Sequence, residues 1–173
     1  QADINRLGAK AAKYAIPNEF SNLVSRYGGS GLNAATSLDY TVYFNTFLSQ
    51  YIDQWASLNS ERLVSPVFRL FQSELETVYE EKNMYADNVL MSAYERVMEN
   101  FFSGTPYAYP IIGSTESLKN PRLSEMQGFY DRYYVAGNMA LILAGDVCAD
   151  SIMPLLERTF GRIRAGEAPV RSE

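Results

Sequence analysis

Residues 30–47 read SGLNAATSLDYTVYFNTF. Small residues and Gly31 open the stretch, and a β-branched and aromatic run closes it. Two extended segments are predicted, at about 32–37 and 40–47. Ser37 to Asp39 supply a short turn between them. In the second segment Val42, Phe44 and Thr46 fall on one face, and Tyr43, Asn45 and Phe47 on the other. Two neighbouring strands so early, with long helical patterns around them, set the fold class: α+β, an antiparallel or mixed sheet packed on helices.

The flanks fit that reading. Residues 2–14 carry Ile4, Leu7, Ala11 and Tyr14 at helical spacing, and Pro17 ends the pattern. Asn18 is a candidate N-cap for a helix bearing Phe20, Leu23, Val24 and Tyr27, which Gly28 and Gly29 stop. Downstream, helices are predicted at about 49–59, 66–86 and 88–102. In the last of these Leu90, Ala93, Tyr94, Val97, Met98 and Phe101 mark a core-facing helix. GTPYAYPIIGSTESL, from Gly104 to Leu118, is a loop rich in glycine and proline. LSEMQGFYDRYY reads as a helix, with Tyr130, Tyr133 and Tyr134 anchoring it against a late strand, NMALILAGD, that starts at Asn138. A final helix runs from Ala149 to Phe160 and stops at Gly161, and 164–173 reads as a linker.

Composition narrows the function. A chain of 173 residues with 47% hydrophobic and 20% charged residues is ordinary for one domain with a core. A net charge of −5 argues against a broad nucleic-acid surface. No apolar run approaches the ~20 residues of a bilayer-crossing helix. The lone Cys148 excludes an internal disulfide. The chain has no histidine, which removes Ser–His–Asp and Cys–His catalysis and the usual His/Cys zinc sites from what it can do alone. RYGGSGLN follows a helix rather than a strand and lacks a downstream Lys-Ser/Thr, so it is not a phosphate loop.

What remains is FQSELETVYEEKN, residues 71–83, with Glu74, Glu76, Glu80 and Glu81. Seven residues return a helix to within ~20° of its start, so Glu74 and Glu81 share a face, with Val78 between them. They sit two turns apart, roughly 10 Å along the axis, and cannot share a proton. From spacing alone two readings stay open. The pair is either a solvated face beside a Leu75, Val78 and Tyr79 core stripe, or two groups lining one cleft. Glu76 and Glu80 point elsewhere.

Four motifs in order carry a resemblance: FSNLVSRYGGSGLNAATSLDYTVYFNTF, ELETVYEEKN, GSTESLKN and FYDRYYVAGNMALILAGDV. Together they resemble the M16 family of zinc metallopeptidases, relatives of pitrilysin, insulysin and the mitochondrial processing peptidase, over about residues 13–163. The resemblance implies the half-domain fold of that family. It implies a zinc-dependent metalloendopeptidase in which two histidines of an inverted H-x-x-E-H motif and a downstream glutamate hold Zn2+, and the motif's own glutamate is general base. The downstream ligand matches Glu81, and the acidic residue one heptad earlier, near the catalytic centre, matches Glu74. Substrate in the family adds as a β-strand along a sheet edge. That edge matches Leu32 to Thr36, which makes Asn33 and Ala34 the expected substrate-binding residues, while Asn33 also reads as a strand-end residue serving local backbone groups.

The departure is the missing H-x-x-E-H. Residues 1–16 resemble the end of a helical insertion that one bacterial branch carries after that motif. The expectation is therefore a piece of a longer enzyme, with 17–163 as half-domain core and 164–173 leading to a following domain, inactive and zinc-free by itself. Expected partners are peptide substrates and a second half-domain or homologous subunit, with the bacterial periplasm or cell envelope as compartment. The alternative is a non-catalytic paralogue that binds peptides or scaffolds a complex.

Overall fold

A computed structural model describes Lys10, residues 13–119 and residues 121–170. The helix expected at 2–14 lies almost entirely outside the described residues. In chain order the elements are α1 (Glu19–Arg26), β1 (Ser30–Thr36), β2 (Thr41–Thr46), α2 (Ile52–Val64), α3 (Phe71–Ala86), α4 (Val89–Phe101), α5 (Thr115–Lys119), α6 (Leu123–Tyr133) and α7 (Ala149–Thr159). The chain divides into two compact units. One comprises 1–15, 34–42 and 69–123, and the other 16–33, 43–68 and 124–173.

The strands β1 and β2 form a two-stranded sheet, joined through a turn in which the Ser37 N–H donates to the Tyr40 carbonyl at 2.8 Å. Ahead of it α1 ends in two paired backbone bonds. The Gly29 N–H donates to the Val24 carbonyl and the Gly28 N–H to that of Ser25, a Schellman ending with Gly28 at φ 69°. A Cβ at Gly29 would lie 2.4 Å from Val24 Cγ1, so the tight return into β1 requires glycine there. Asn18 does occupy the N-cap position of α1, in a left-handed conformation and without a side-chain capping bond.

In the second unit the core forms where the Tyr43, Asn45 and Phe47 face meets α2. Trp55 donates its indole N–H to Asn45 Oδ1 at 3.1 Å. The Phe47 ring stacks on it at 4.7 Å, and Phe160 tilts against it at 5.8 Å. Helices α2 and α7 pack together. The small Ala56 and Ser60 on α2, one turn apart, are fully buried, and Leu155 and Thr159 on α7 are buried. The buried hydroxyls are satisfied locally: Ser60 donates to the Ser57 carbonyl and Thr159 to that of Leu155.

The tyrosines of α6 anchor it differently from the expectation. Tyr130 donates to the Leu63 carbonyl at the end of α2, and the Tyr134 and Tyr43 hydroxyls meet at 2.6 Å. Tyr130 and Tyr134 stack at 4.3 Å, whereas Tyr133 faces Phe129. The helix is thus fastened to α2 and β2, not to a late strand. Asn138 sits in a single turn, Ala136–Asn138. Met139 beyond it is extended (φ −126°, ψ 148°), but residues 139–144 join no ladder among the described residues. An apolar run becomes a strand only with a hydrogen-bonding neighbour, and here Ile142 remains 85% exposed. Residues 164–166, inside the stretch read as a linker, lie along 135–137. The Ala136 N–H donates to Arg164 and the Gly137 N–H to Gly166, at 2.9 and 3.0 Å.

In the other unit α3 and α4 pack as a helical hairpin. Asn88 caps α4 by accepting from the Leu90 and Met91 N–H groups. Lys82 is 9% exposed and reaches both carboxylate oxygens of Glu95, at 3.0 and 3.1 Å. The helix expected at 88–102 forms, but its apolar stripe is not buried among the described residues: Leu90, Tyr94, Val97 and Phe101 are exposed, Phe101 by 79%. The Tyr107 hydroxyl, in the loop after α4, donates to Asp39 at the hairpin turn at 3.1 Å.

Trp55 is the chain's one tryptophan and is half-buried. Trp55→Ala is expected to cost about 2 kcal/mol, below the ~3–5 kcal/mol of a fully buried ring, measured by urea unfolding followed by circular dichroism. Burial, the largest cause, pushes the Tyr130 and Tyr134 phenols above their ordinary 10.0, and the Tyr43 hydrogen bond adds to it at Tyr134. The fold therefore favours the neutral phenols. That stability is complete below pH 10.0 and is lost as pH rises past it towards the raised folded-state values. A phenolate absorbance titration should show a late-ionising class that vanishes in urea and shrinks in Tyr134→Phe.

Candidate functional site

The helix α3 starts directly after Leu70, which takes a left-handed conformation (φ 58°), and the Glu74 N–H donates back to the Leu70 carbonyl at 3.0 Å. Glu74 therefore stands in the first turn, where the helix dipole favours a carboxylate. Leu75, Val78, Tyr79 and Lys82 form the inward stripe, at helical spacing and at least half-buried. The four glutamates are exposed. Glu76 accepts from Gln72 Nε2 at 3.3 Å, one turn away, as a solvated helix face does.

Glu81 differs from its neighbours. Its Oε1 accepts the Tyr85 hydroxyl at 3.1 Å, from one turn further along α3. That hydrogen bond, followed by the carboxylate's charge, raises the Tyr85 phenol above its ordinary value. The bond engages one oxygen of an exposed carboxylate. Beside it the Lys82–Glu95 pair fixes α3 against α4. Tyr85 was not singled out from the sequence, although its i+4 relation to Glu81 was legible there.

Asn33 and Ala34 are exposed residues in the middle of β1, whose ladder partner among the described residues is β2. Neighbouring strand residues point to opposite faces. Ala34, Glu74 and Glu81 lie in one unit and Asn33 in the other. Arg62, with a guanidinium lying 4.6 Å from the Phe20 ring and 4.5 Å from that of Tyr43, gave no sequence signal.

The residues present do not by themselves make a zinc site. Zinc in such enzymes takes three protein ligands and keeps one open position. The chain has no histidine, and no group of three His, Cys, Asp or Glu side chains is placed for a metal among the described residues. Glu81 is a single anionic oxygen donor already oriented by a phenol.

Comparison with known proteins places this helix in context. Residues 5–115 match the model of the insulinase family, peptidase family M16, and residues 122–172 match the peptidase M16 inactive domain. The mitochondrial-processing peptidase subunit beta of Caenorhabditis elegans is 28% identical over 142 residues, 81% of this chain and 31% of its own length. Zinc protease PqqE of Helicobacter pylori is 27% identical over 164 residues, 93% of this chain and 37% of its own. The chain thus spans about a third of the length of these relatives. A protease structure from Helicobacter pylori matches with a TM-score of 0.81 at 26% identity, covering 90% of this chain and 38% of that one. The first half of the periplasmic protease PqqL from Escherichia coli shares the fold at a TM-score of 0.74 and 20% identity, over 88% of this chain and 34% of that one. Because the first family match takes in more than half of the 173 residues, α3 and its glutamates included, the chain belongs to the insulinase family, peptidase M16.

Proposed function

We propose that this chain is one portion of a zinc-dependent metalloendopeptidase that hydrolyses extended peptides. It would supply the glutamate ligand but neither the histidine ligands nor the general base. The observation that carries this is the family match across α3, where Glu81 stands exposed with one oxygen held by Tyr85. Zinc proteases among the relatives support a metal in the parent enzyme. In this reading Glu81 is the metal ligand of this segment and Glu74, on the same face, is an acidic group beside the centre. Asn33 and Ala34 lie along the backbone of a peptide that adds to β1, main chain to main chain. Residues 17–163 form the half-domain core, the 164–166 segment lies along it, and the chain leads on to a second half-domain that completes the chamber. An exported setting fits the periplasmic protease PqqL, whose fold is shared. No helix among the described residues is long and apolar enough to cross a membrane.

A second reading, a non-catalytic family member that binds peptides or scaffolds a partner, draws on the match of 122–172 to the M16 inactive domain. The coding sequence upstream of Gln1 separates the two, by encoding H-x-x-E-H or lacking it. Metal analysis after dialysis tests the ligand role. This chain alone is expected to retain no stoichiometric zinc. The parent protein is expected to bind one ion, with affinity reduced at least ~10–100-fold by Glu81→Gln. Stoichiometric zinc on this chain alone, abolished by Glu81→Gln, would overturn the reading.

A further inference from the structure

Three of the arginines in the second unit have carboxylate partners: Arg158 with Asp53 at 3.9 Å, Arg162 with Glu61 at 2.8 Å and Arg164 with Asp131 at 3.3 Å. Arg62 does not share this pattern. It is half-buried on α2, and its guanidinium lies over two rings, Phe20 of α1 at 4.6 Å and Tyr43 of β2 at 4.5 Å. No hydrogen-bond acceptor or carboxylate among the described residues takes its N–H groups. Those donors lie in the guanidinium plane, so a ligand that takes them approaches along its edge. Both rings hold that edge in place and reduce its competing hydration.

A second donor belongs to the same cluster. The Tyr43 and Tyr134 hydroxyls share one hydrogen bond at 2.6 Å, which uses one of their two protons. The other proton has no acceptor among the described residues. Tyr130 is already engaged with the Leu63 carbonyl, so its hydroxyl proton is not available. Burial and the Tyr43 contact also keep Tyr134 protonated, hence a donor, far above neutral pH. Cation–π stacking accounts for the rings, and because no buried side-chain polar atom among the described residues lacks a partner, the remaining donors face solvent, where a ligand can replace water.

We propose that Arg62, packed against Phe20 and Tyr43 and joined by the Tyr43–Tyr134 hydroxyl pair, is a binding site for a peptide carboxylate. The ligand is an acidic side chain or a free C-terminus, held in the guanidinium plane by charge-assisted hydrogen bonds. The choice of a peptide as carrier rests on the peptidase reading, while the site lies within one unit and is independent of any metal at Glu81.

The test uses this chain and three blocked tripeptides: one with a glutamate side chain and amidated C-terminus, one neutral with a free C-terminal carboxylate, and one with glutamine and an amidated C-terminus. The Arg62 Nε–Hε resonance is followed by NMR titration, and affinity by calorimetry. At least one carboxylate peptide should shift that resonance saturably and bind roughly tenfold tighter than the neutral one. Whichever of the two does so identifies the source as side chain or chain end. Arg62→Met should remove the preference, Arg62→Lys should retain part of it, and Tyr43→Phe should weaken it about threefold. Equal affinity for all three peptides, or an undiminished preference in a folded Arg62→Met, overturns the proposal. Should Arg62→Met fail to fold, the wild-type resonance decides, and its failure to move overturns the proposal equally. Zinc binding by the parent protein is a separate readout, so loss of this site and loss of the Glu81 ligand are distinguishable.

Discussion

The indole of Trp55 sets the geometry of its unit. β2 supplies an acceptor, Asn45, and the residue just past its end a ring, Phe47, and both converge on that side chain. Its N–H requires a partner when removed from water, so Asn45 fixes the rotation of the ring, and Phe47 and Phe160 then have a defined surface to pack on. The register of β2 follows from this. Shifting the strand by one residue would turn Tyr43, Asn45 and Phe47 away from α2 and present Val42, Phe44 and Thr46 instead.

Around that contact, aromatic rings and hydroxyls fasten elements that apolar burial alone would leave loose. Only Val24, Ala56, Val135 and Leu155 are buried apolar residues among those described. The tyrosines carry much of the remaining order. Tyr130 ties α6 to the last carbonyl-bearing turn of α2, and Tyr134 ties it to β2. In the other unit the comparable fastening is ionic. A lysine left only 9% exposed would be costly unpaired, and Glu95 meets it with both oxygens. Because Lys82 follows Glu81 directly, the pair that secures α3 also sets the azimuth at which Glu81 leaves the helix.

The sequence carried much of the candidate site. A heptad on a helix is a local property, so the shared face of Glu74 and Glu81 needed no tertiary information. Membership of the M16 family was legible in four ordered motifs, and the family match bears it out. Tyr85 could have been read from its spacing. Arg62 could not, because Phe20 and Tyr43 lie 42 and 19 residues away from it in sequence and reach it from two other elements.

By itself the sequence determined the α+β class, the hairpin and its turn, the glycine end of α1 and the alternation that sends Tyr43, Asn45 and Phe47 to one side. Each depends on φ/ψ preference, periodicity or capping within a few residues. Tertiary structure decided what those faces meet. The stripe of α4 has helical periodicity and yet stands exposed. Residues 139–144 have strand composition and yet no ladder among the described residues, and the α6 tyrosines choose α2 and β2. Periodicity states that a face is apolar, and alternation that a segment can extend. Burial and sheet pairing require a partner surface, and only the folded arrangement of distant residues supplies one.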